Sequence, residues 1–342
     1  MNAIFDKLDS LPRQRLAHLP TPLEPMANLA SRYGDGQLLV KRDDNTGIAM
    51  GGNKLRQLEF YFGEAVEQSA DTVLITGAVQ SNFVRLTAAC ANKLGMNCHI
   101  QLEQRVAKND PLYANSGNVL IDRMLGATIH TYPHGEDEAG ADAQLESIAD
   151  DLRAKGCNPY IIHLAPGHAP IGALGYVDAA REIMDQAATT GISIDEVVVA
   201  SGSGHTHGGL LFGLRAYGAT MPVIGICVRR DAAAQRPRII ERTHQIAALL
   251  DVANPVSEDD VVVTDEFLHP GYGQLNDATR QAIALAARQE ALLLDPVYTG
   301  KTMAGCLKRA EQAGQDRTIL FIHTGGTPAI FAYQAELSEL TT

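Results

Sequence analysis

Met50-Gly51-Gly52-Asn53-Lys54-Leu55-Arg56 places a lysine at the start of a helical repeat, reached through two glycines from the extended run Leu38-Leu39-Val40-Lys41. Leu55, Leu58, Glu59 and Phe60 begin the repeat. Gly51 and Gly52 remove side chains where the strand ends, so another backbone or a ligand can come close. An ammonium at a helix N-terminus faces the positive end of the helix dipole, which disfavours its charged form and makes the neutral amine accessible. A nucleophilic lysine needs that amine. Taken alone, the stretch fits a solvated lysine on a loop better, since most lysines are exposed; later segments change the balance.

Outward from this stretch, strand-like and helix-like segments alternate. Thr72–Thr76, His99–Leu102, Thr128–Thr131 and Tyr160–His163 read as strands separated by helix-length segments. A second series follows at Glu196–Ala200, Val223–Val228 and Thr318–His323, interleaved with helices near 207–217, 235–250, 277–290 and 302–313. The apolar, β-branched composition of these runs fits strands of a parallel sheet covered on both faces. The expected organisation is a smaller α/β unit at 56–165 set inside a larger one built from 1–55 plus 166–342. A proline-punctuated opening through Pro20-Thr21-Pro22 and a short helix from Leu29 to Tyr33 read as scaffold.

A chain of 342 residues with 45% hydrophobic and 20% charged residues is large enough for two cores. It contains no apolar run of membrane-spanning length. Its net charge of −12 argues against a general nucleic-acid surface while allowing a local pocket for a small anion. Cys90, Cys98, Cys157, Cys227 and Cys306 are odd in number and lack Cys-x-x-Cys spacing, so they read as free, mostly buried thiols. With acidic residues early and no apolar signal core, the sequence is expected to be cytoplasmic.

Four further clusters fall at strand ends, where such sheets bind ligands. Gly202-Ser203-Gly204-His205-Thr206 follows a strand and opens a helix, the form of an oxyanion cup made from backbone N–H groups, a helix N-terminus and hydroxyls. It lacks the lysine of a nucleotide P-loop and the full dinucleotide spacing, so a phosphate on a small cofactor fits better than ATP or NAD. Gln80-Ser81-Asn82 offers hydroxyl and amide donors for a carboxylate or phenolic oxygen, with helix capping as the structural alternative. Asp295-Pro-Val-Tyr298-Thr299-Gly-Lys301 sets a phenol before a helix, where Tyr298 either stacks on a ring, moves a proton or simply packs. His323-Thr324-Gly325-Gly326 ends the last strand in a ligand-facing form. A lysine nucleophile, a phosphate cup, a carboxylate site and ring-contacting hydroxyls are together the parts of a pyridoxal-phosphate enzyme.

Those segments, with Lys41-Arg-Asp-Asp44, resemble in order and over nearly the whole chain the D-cysteine desulfhydrase and aminocyclopropane-carboxylate deaminase family. The resemblance implies a two-domain α/β fold of the tryptophan-synthase-β type (fold type II), each domain a mostly parallel sheet flanked by helices. It implies pyridoxal 5'-phosphate in Schiff-base linkage to Lys54, with Asn82 on the ring oxygen and Gly202, Ser203, Gly204, His205 and Thr206 on the phosphate. It also implies Ser81 with neighbouring amides on the substrate carboxylate, and Tyr298 against the ring near the reacting carbon. Where the deaminase branch places a glutamate on the ring nitrogen, this chain has Thr299, so that Thr299 or Thr324 would offer a neutral hydroxyl. A hydroxyl leaves a weaker electron sink than a carboxylate does. The implied reaction is therefore β-elimination from a small amino acid, with Lys54 as leading base, giving pyruvate, ammonia and sulfide from D-cysteine. Sulfite from L-cysteate, cyclopropane opening and D-serine dehydration are the alternatives. A homodimer is expected, with no membrane or nucleic-acid partner.

Departures from that family pattern fall near the pocket. Phe83 stands where relatives have histidine, His205 replaces a small residue, and Ala165–Pro170, with His168, replaces a glycine–serine turn. Phe83 and His168 are accordingly candidate substrate contacts alongside Ser81, Asn82 and Tyr298, either compensating for each other or shifting the substrate. His99, His130 and His163 read as core or edge histidines, and no spacing suggests a catalytic metal.

Overall fold

The computed structural model describes residues 3–33, 36–165, 167–313 and 317–338. Pro166, within the divergent 165–170 turn, lies outside them. Ten strands among these residues form two sheets. β1 (Leu23–Pro25), β2 (Gln37–Lys41), β7 (Glu196–Ser201), β8 (Val223–Cys227), β9 (Val261–Thr264) and β10 (Thr318–Ile322) build the larger one, in the order β1-β2-β10-β7-β8-β9. β1 runs antiparallel to β2 and the remaining pairs are parallel. β3 (Thr72–Ala78), β4 (Asn97–Glu103), β5 (Thr128–Tyr132) and β6 (Pro159–Ile162) form an all-parallel sheet in the order β5-β4-β3-β6.

The larger sheet is covered on both faces because the middle positions of its central strands are apolar. Leu39, Val197, Val199, Leu320 and Ile322 point into one core, while Leu38, Val40, Val198, Ile319 and Phe321 point into another. That alternation is the strand period of two. The helix Lys54–Glu67 belongs to both halves of the molecule. Phe60 packs into the larger sheet's core, and Leu55, Leu58, Tyr61, Phe62 and Ala65 pack into the smaller one's. Its first residue is thereby fixed between the two sheets.

Every strand read from the sequence is present, most within two residues of the expected ends. Two others, β1 and β9, and the helix Leu174–Thr190 were not read as elements. β9 is a four-residue edge strand whose only sheet neighbour among the described residues is β8. Its signal, Val261-Val262-Val263, is short and sits behind three acidic residues.

Candidate active site

The carboxyl ends of β3, β7 and β10 meet at a cavity of about 1100 Å³, counting its mouth. Lys54, the first residue of its helix, lines it. The approach is forced: Gly47, Ala49, Met50, Gly51 and Gly52 all have positive φ, a region costly for Ala49 and Met50. The neighbouring helix Asn82–Lys93 holds this turn through Arg85, whose guanidinium donates to Ala49 O and, at 2.9 Å, to Gly51 O. A Cβ on Gly51 would meet Asp44 O at 2.2 Å, and one on Gly325 would meet Gly52 Cα at 2.7 Å. These glycines therefore serve close approach of backbone to backbone.

Burial lowers the Lys54 pKa to about 8. Its Nζ sits 4.8 Å from the centroid of the Phe83 ring. The helix-dipole reason read from the sequence is joined here by loss of water around an amine that keeps only a partly accessible face toward the cavity.

The phosphate-cup residues Gly202, Ser203, Gly204 and Thr206 line the same cavity. The carbonyls of Gly202 and Ser203 accept from Gln235 Nε2 at 3.0 Å and Arg238 Nε at 3.1 Å. That ties the loop back from behind and leaves its N–H groups for the cavity. Gly204 takes φ 96° as it opens the helix His205–Tyr217. Thr206 Oγ1 accepts from both Asn53 Nδ2 and Gln57 Nε2 at 2.8 Å. With its lone pairs occupied, the hydroxyl proton is the part left to give to an anion. Asn82 is set in the same manner: Asn118 Nδ2 donates to its Oδ1 at 3.1 Å, leaving Nδ2 as a donor to the cavity. This set of neutral donors around an amine of lowered pKa fits pyridoxal phosphate, with Lys54 for the aldehyde carbon, the 202–206 loop for the phosphate and Asn82 for the ring oxygen.

Ser81 both lines the cavity and caps its helix, accepting from Val84 N at 3.3 Å. Tyr298 also lines it, its hydroxyl 2.7 Å from that of Tyr272. Burial first, then Tyr272, hold the Tyr298 pKa well above that of a free phenol, so it stays protonated.

Three of the expected residues have their side chains turned elsewhere. Thr299 does not reach the cavity: its Oγ1 donates to Asp295 Oδ1 at 2.7 Å and accepts from Asp295 N at 2.7 Å, so the side chain is spent organising the turn. Thr324 is the hydroxyl residue on the wall. His205 is buried in the first turn of its helix behind the cup, with its pKa driven well below the ordinary value by burial and then by Arg242 and Lys54. His168 lies outside the lining and turns to Asp142 instead, Nε2 to Oδ2 at 2.7 Å.

The sequence reading missed the charged rim. Arg229, Arg230 and Arg238 converge on Glu138, the first at 2.8 Å, and Arg105 makes a two-point contact with Glu103, both distances 2.8 Å. Glu103, Arg105, Glu138, Arg229 and Arg238 line the cavity, as do Tyr272 and Asp142. Glu103 and Arg229 were findable, because both stand at or just beyond the carboxyl end of a strand.

Comparison with known proteins identifies relatives of this chain. D-cysteine desulfhydrase of Salmonella choleraesuis (strain SC-B67) is 43% identical over 328 residues, covering 95% of this chain and 97% of that protein. The protein of the same name from Salmonella typhi is 42% identical over the same shares. A crystal structure of an ACC deaminase homologue superimposes with a TM-score of 0.88 at 35% identity, covering 99% of each chain. O-ureido-L-serine synthase shares the fold alone, with a TM-score of 0.67 at 16% identity over 96% of this chain and 94% of that one. The family model described as pyridoxal-phosphate dependent enzyme matches residues 15–325, and the protein belongs to that family.

Proposed function

We propose that the protein is a lyase that removes the β-substituent of a small sulfur-containing amino acid, in the first instance D-cysteine. D-cysteine and water become pyruvate, ammonia and hydrogen sulfide as the Cα–H and C–S bonds break. One observation carries the reading: a buried amine with its pKa lowered to about 8 faces a cup of neutral anion donors in one cavity. The 43% identity to D-cysteine desulfhydrases supports the choice of substrate.

The cofactor, when bound, supplies the electron sink that makes the Cα proton acidic. Lys54 is the base for that proton, its lowered pKa suiting transfer near neutral pH. Ser81, with the N–H groups opening its helix, holds the substrate carboxylate. Tyr298, kept protonated, gives a proton to the departing sulfur, and Tyr272 orients its hydroxyl. Thr324 offers the ring nitrogen a neutral partner. A sink of that strength suffices for a good leaving group and disfavours opening of a cyclopropane. Arg105, Arg229 and Arg238 on the rim favour a second reading, an anionic β-substituent such as the sulfonate of L-cysteate.

The test is release of 2-oxoacid, with sulfide and sulfite detected in parallel, from D-cysteine, L-cysteine, L-cysteate, D-serine and aminocyclopropane-carboxylate. Pyruvate with sulfide from D-cysteine is the expected result; sulfite from L-cysteate alone would replace it with the second reading, 2-oxobutyrate from aminocyclopropane-carboxylate alone with cyclopropane opening, and pyruvate from D-serine alone with dehydration. We further propose the division at 56–165, a cytoplasmic location and a homodimer. Among the described residues no helix is long and apolar enough to cross a membrane. Leu120, Met124 and Phe331 are exposed on neighbouring elements, and a monomer in light scattering would exclude a second copy there.

A further inference from the structure

Asp142, His163 and His168 meet at the cavity rim although they come from different elements. Asp142 stands in the first turns of the helix Glu138–Ala154, His163 just past the end of β6, and His168 on the connection back to the larger sheet. His163 Nδ1 lies 3.0 Å from Asp142 Oδ1, and His168 Nε2 lies 2.7 Å from Asp142 Oδ2. The other nitrogen of His163, Nε2, lies 3.3 Å from Glu146 Oε1. The two imidazoles stack face to face, with centroids 3.8 Å apart and planes 2° from parallel.

Both nitrogens of His163 face carboxylate oxygens, while Asp142 meets one imidazole nitrogen with each of its own oxygens. A divalent ion held between the three groups would engage the carboxylate and both rings at once. One donor atom from each of Asp142, His163 and His168 lies within 4.8 Å of the others, and two imidazole nitrogens with one carboxylate oxygen are a ligand set typical of zinc. Glu146 then takes the role of the outer carboxylate that accepts the remaining N–H of His163 and fixes its tautomer. The His168 side chain is 38% exposed, so its ring is free to turn out of the stack and aim its lone pair at the ion.

We propose that Asp142, His163 and His168 bind a divalent transition-metal ion, Zn²⁺ by its donor set, with water completing the coordination. The ion ties the helix Glu138–Ala154 to the connection after β6. Asp142, Leu164 and Ala165, next to the ligands, are part of the cavity wall.

The experiment is equilibrium dialysis of the cofactor-loaded enzyme against Zn²⁺, followed by metal analysis. About one ion per chain is expected, with little uptake of Mg²⁺ or Ca²⁺. Replacing Zn²⁺ by Co²⁺ should give the visible bands of a tetrahedral site. His163→Gln, His168→Gln and Asp142→Asn should each lose most of the bound ion, and Glu146→Gln should weaken binding about tenfold. Cofactor absorbance and circular dichroism on the same samples report that each variant is folded. Cys157→Ser, which alters the one partly exposed thiol, should bind as the parent does. The proposal is overturned if the parent enzyme takes up under about a tenth of an ion per chain. It is equally overturned if the H163Q/H168Q double variant keeps its ion, or if Cys157→Ser loses it.

Discussion

Lys54 and Arg56 lie two residues apart on one helix, both cationic in water, and the fold surrounds them in opposite ways. Arg56 is fully buried and fully compensated. Its guanidinium donates to Asp43 Oδ2 at 3.0 Å and Oδ1 at 2.9 Å, and to Glu182 Oε2 at 3.0 Å and Oε1 at 2.8 Å. Lys41, Thr21 and Tyr176 complete the network. Burial works against the Arg56 charge, yet Asp43 and Glu182 together hold its pKa well above the ordinary value. Lys54 is desolvated with no carboxylate to offset the loss, and its pKa falls to about 8. The difference separates a charge that locates the helix from a charge that the site is built to remove.

Exchanging residues at the two positions tests that separation. Lys54→Ala should abolish turnover, by at least about a thousandfold, and prevent borohydride from fixing the cofactor to the chain, while the thermal midpoint changes little. Retained turnover at the parent rate would end the assignment. Arg56→Met has the reverse profile. It leaves Asp43 and Glu182 buried with too little positive charge, at a cost of about 3–5 kcal/mol in urea denaturation. A loss under about 1 kcal/mol would show that Lys41 and Tyr176 suffice without it.

The same contrast explains what could be read from the sequence. The Lys54 turn, the cup at 202–206 and the 80–82 segment were legible because each is a local pattern, strand then glycine or polar turn then helix, and backbone geometry dictates residue type there. Arg56, Asp43, Glu182 and Tyr176 were not legible as a unit. They are joined across up to 139 positions between Asp43 and Glu182, and only the fold brings them together. The rim arginines follow the same logic, with Arg229, just past a strand of the larger sheet, meeting Glu138, on a helix that follows a strand of the smaller one. Thr299 misled because spacing placed it correctly beside Tyr298, whereas its direction was decided by Asp295, a partner four residues back.

A smaller effect is expected at the cup. Thr206→Val removes the hydroxyl that Asn53 and Gln57 prepare, and should weaken cofactor binding about tenfold in a titration of the unloaded protein. Unchanged affinity would mean that backbone N–H groups alone hold the phosphate.

The finest test concerns the Lys54 proton itself. Its folded pKa of about 8 lies below the model-compound value of 10.5, so between these values the unfolded chain binds the extra proton. The unloaded protein should therefore gain stability as pH rises through that window, and lose this contribution as pH falls toward 8. Acylation of Lys54, followed by peptide mapping, should show a midpoint near 8, against about 10.4 for exposed lysines. The Phe83 ring stands 4.8 Å from Nζ and favours the cation, since the face of a ring attracts positive charge. Phe83→Leu should then move the midpoint down by about half a unit, the equivalent of 0.5–1 kcal/mol. An upward shift would instead mean that the ring acts chiefly by excluding water, and that the fold lowers the Lys54 pKa with the same side chain that stands over its charge.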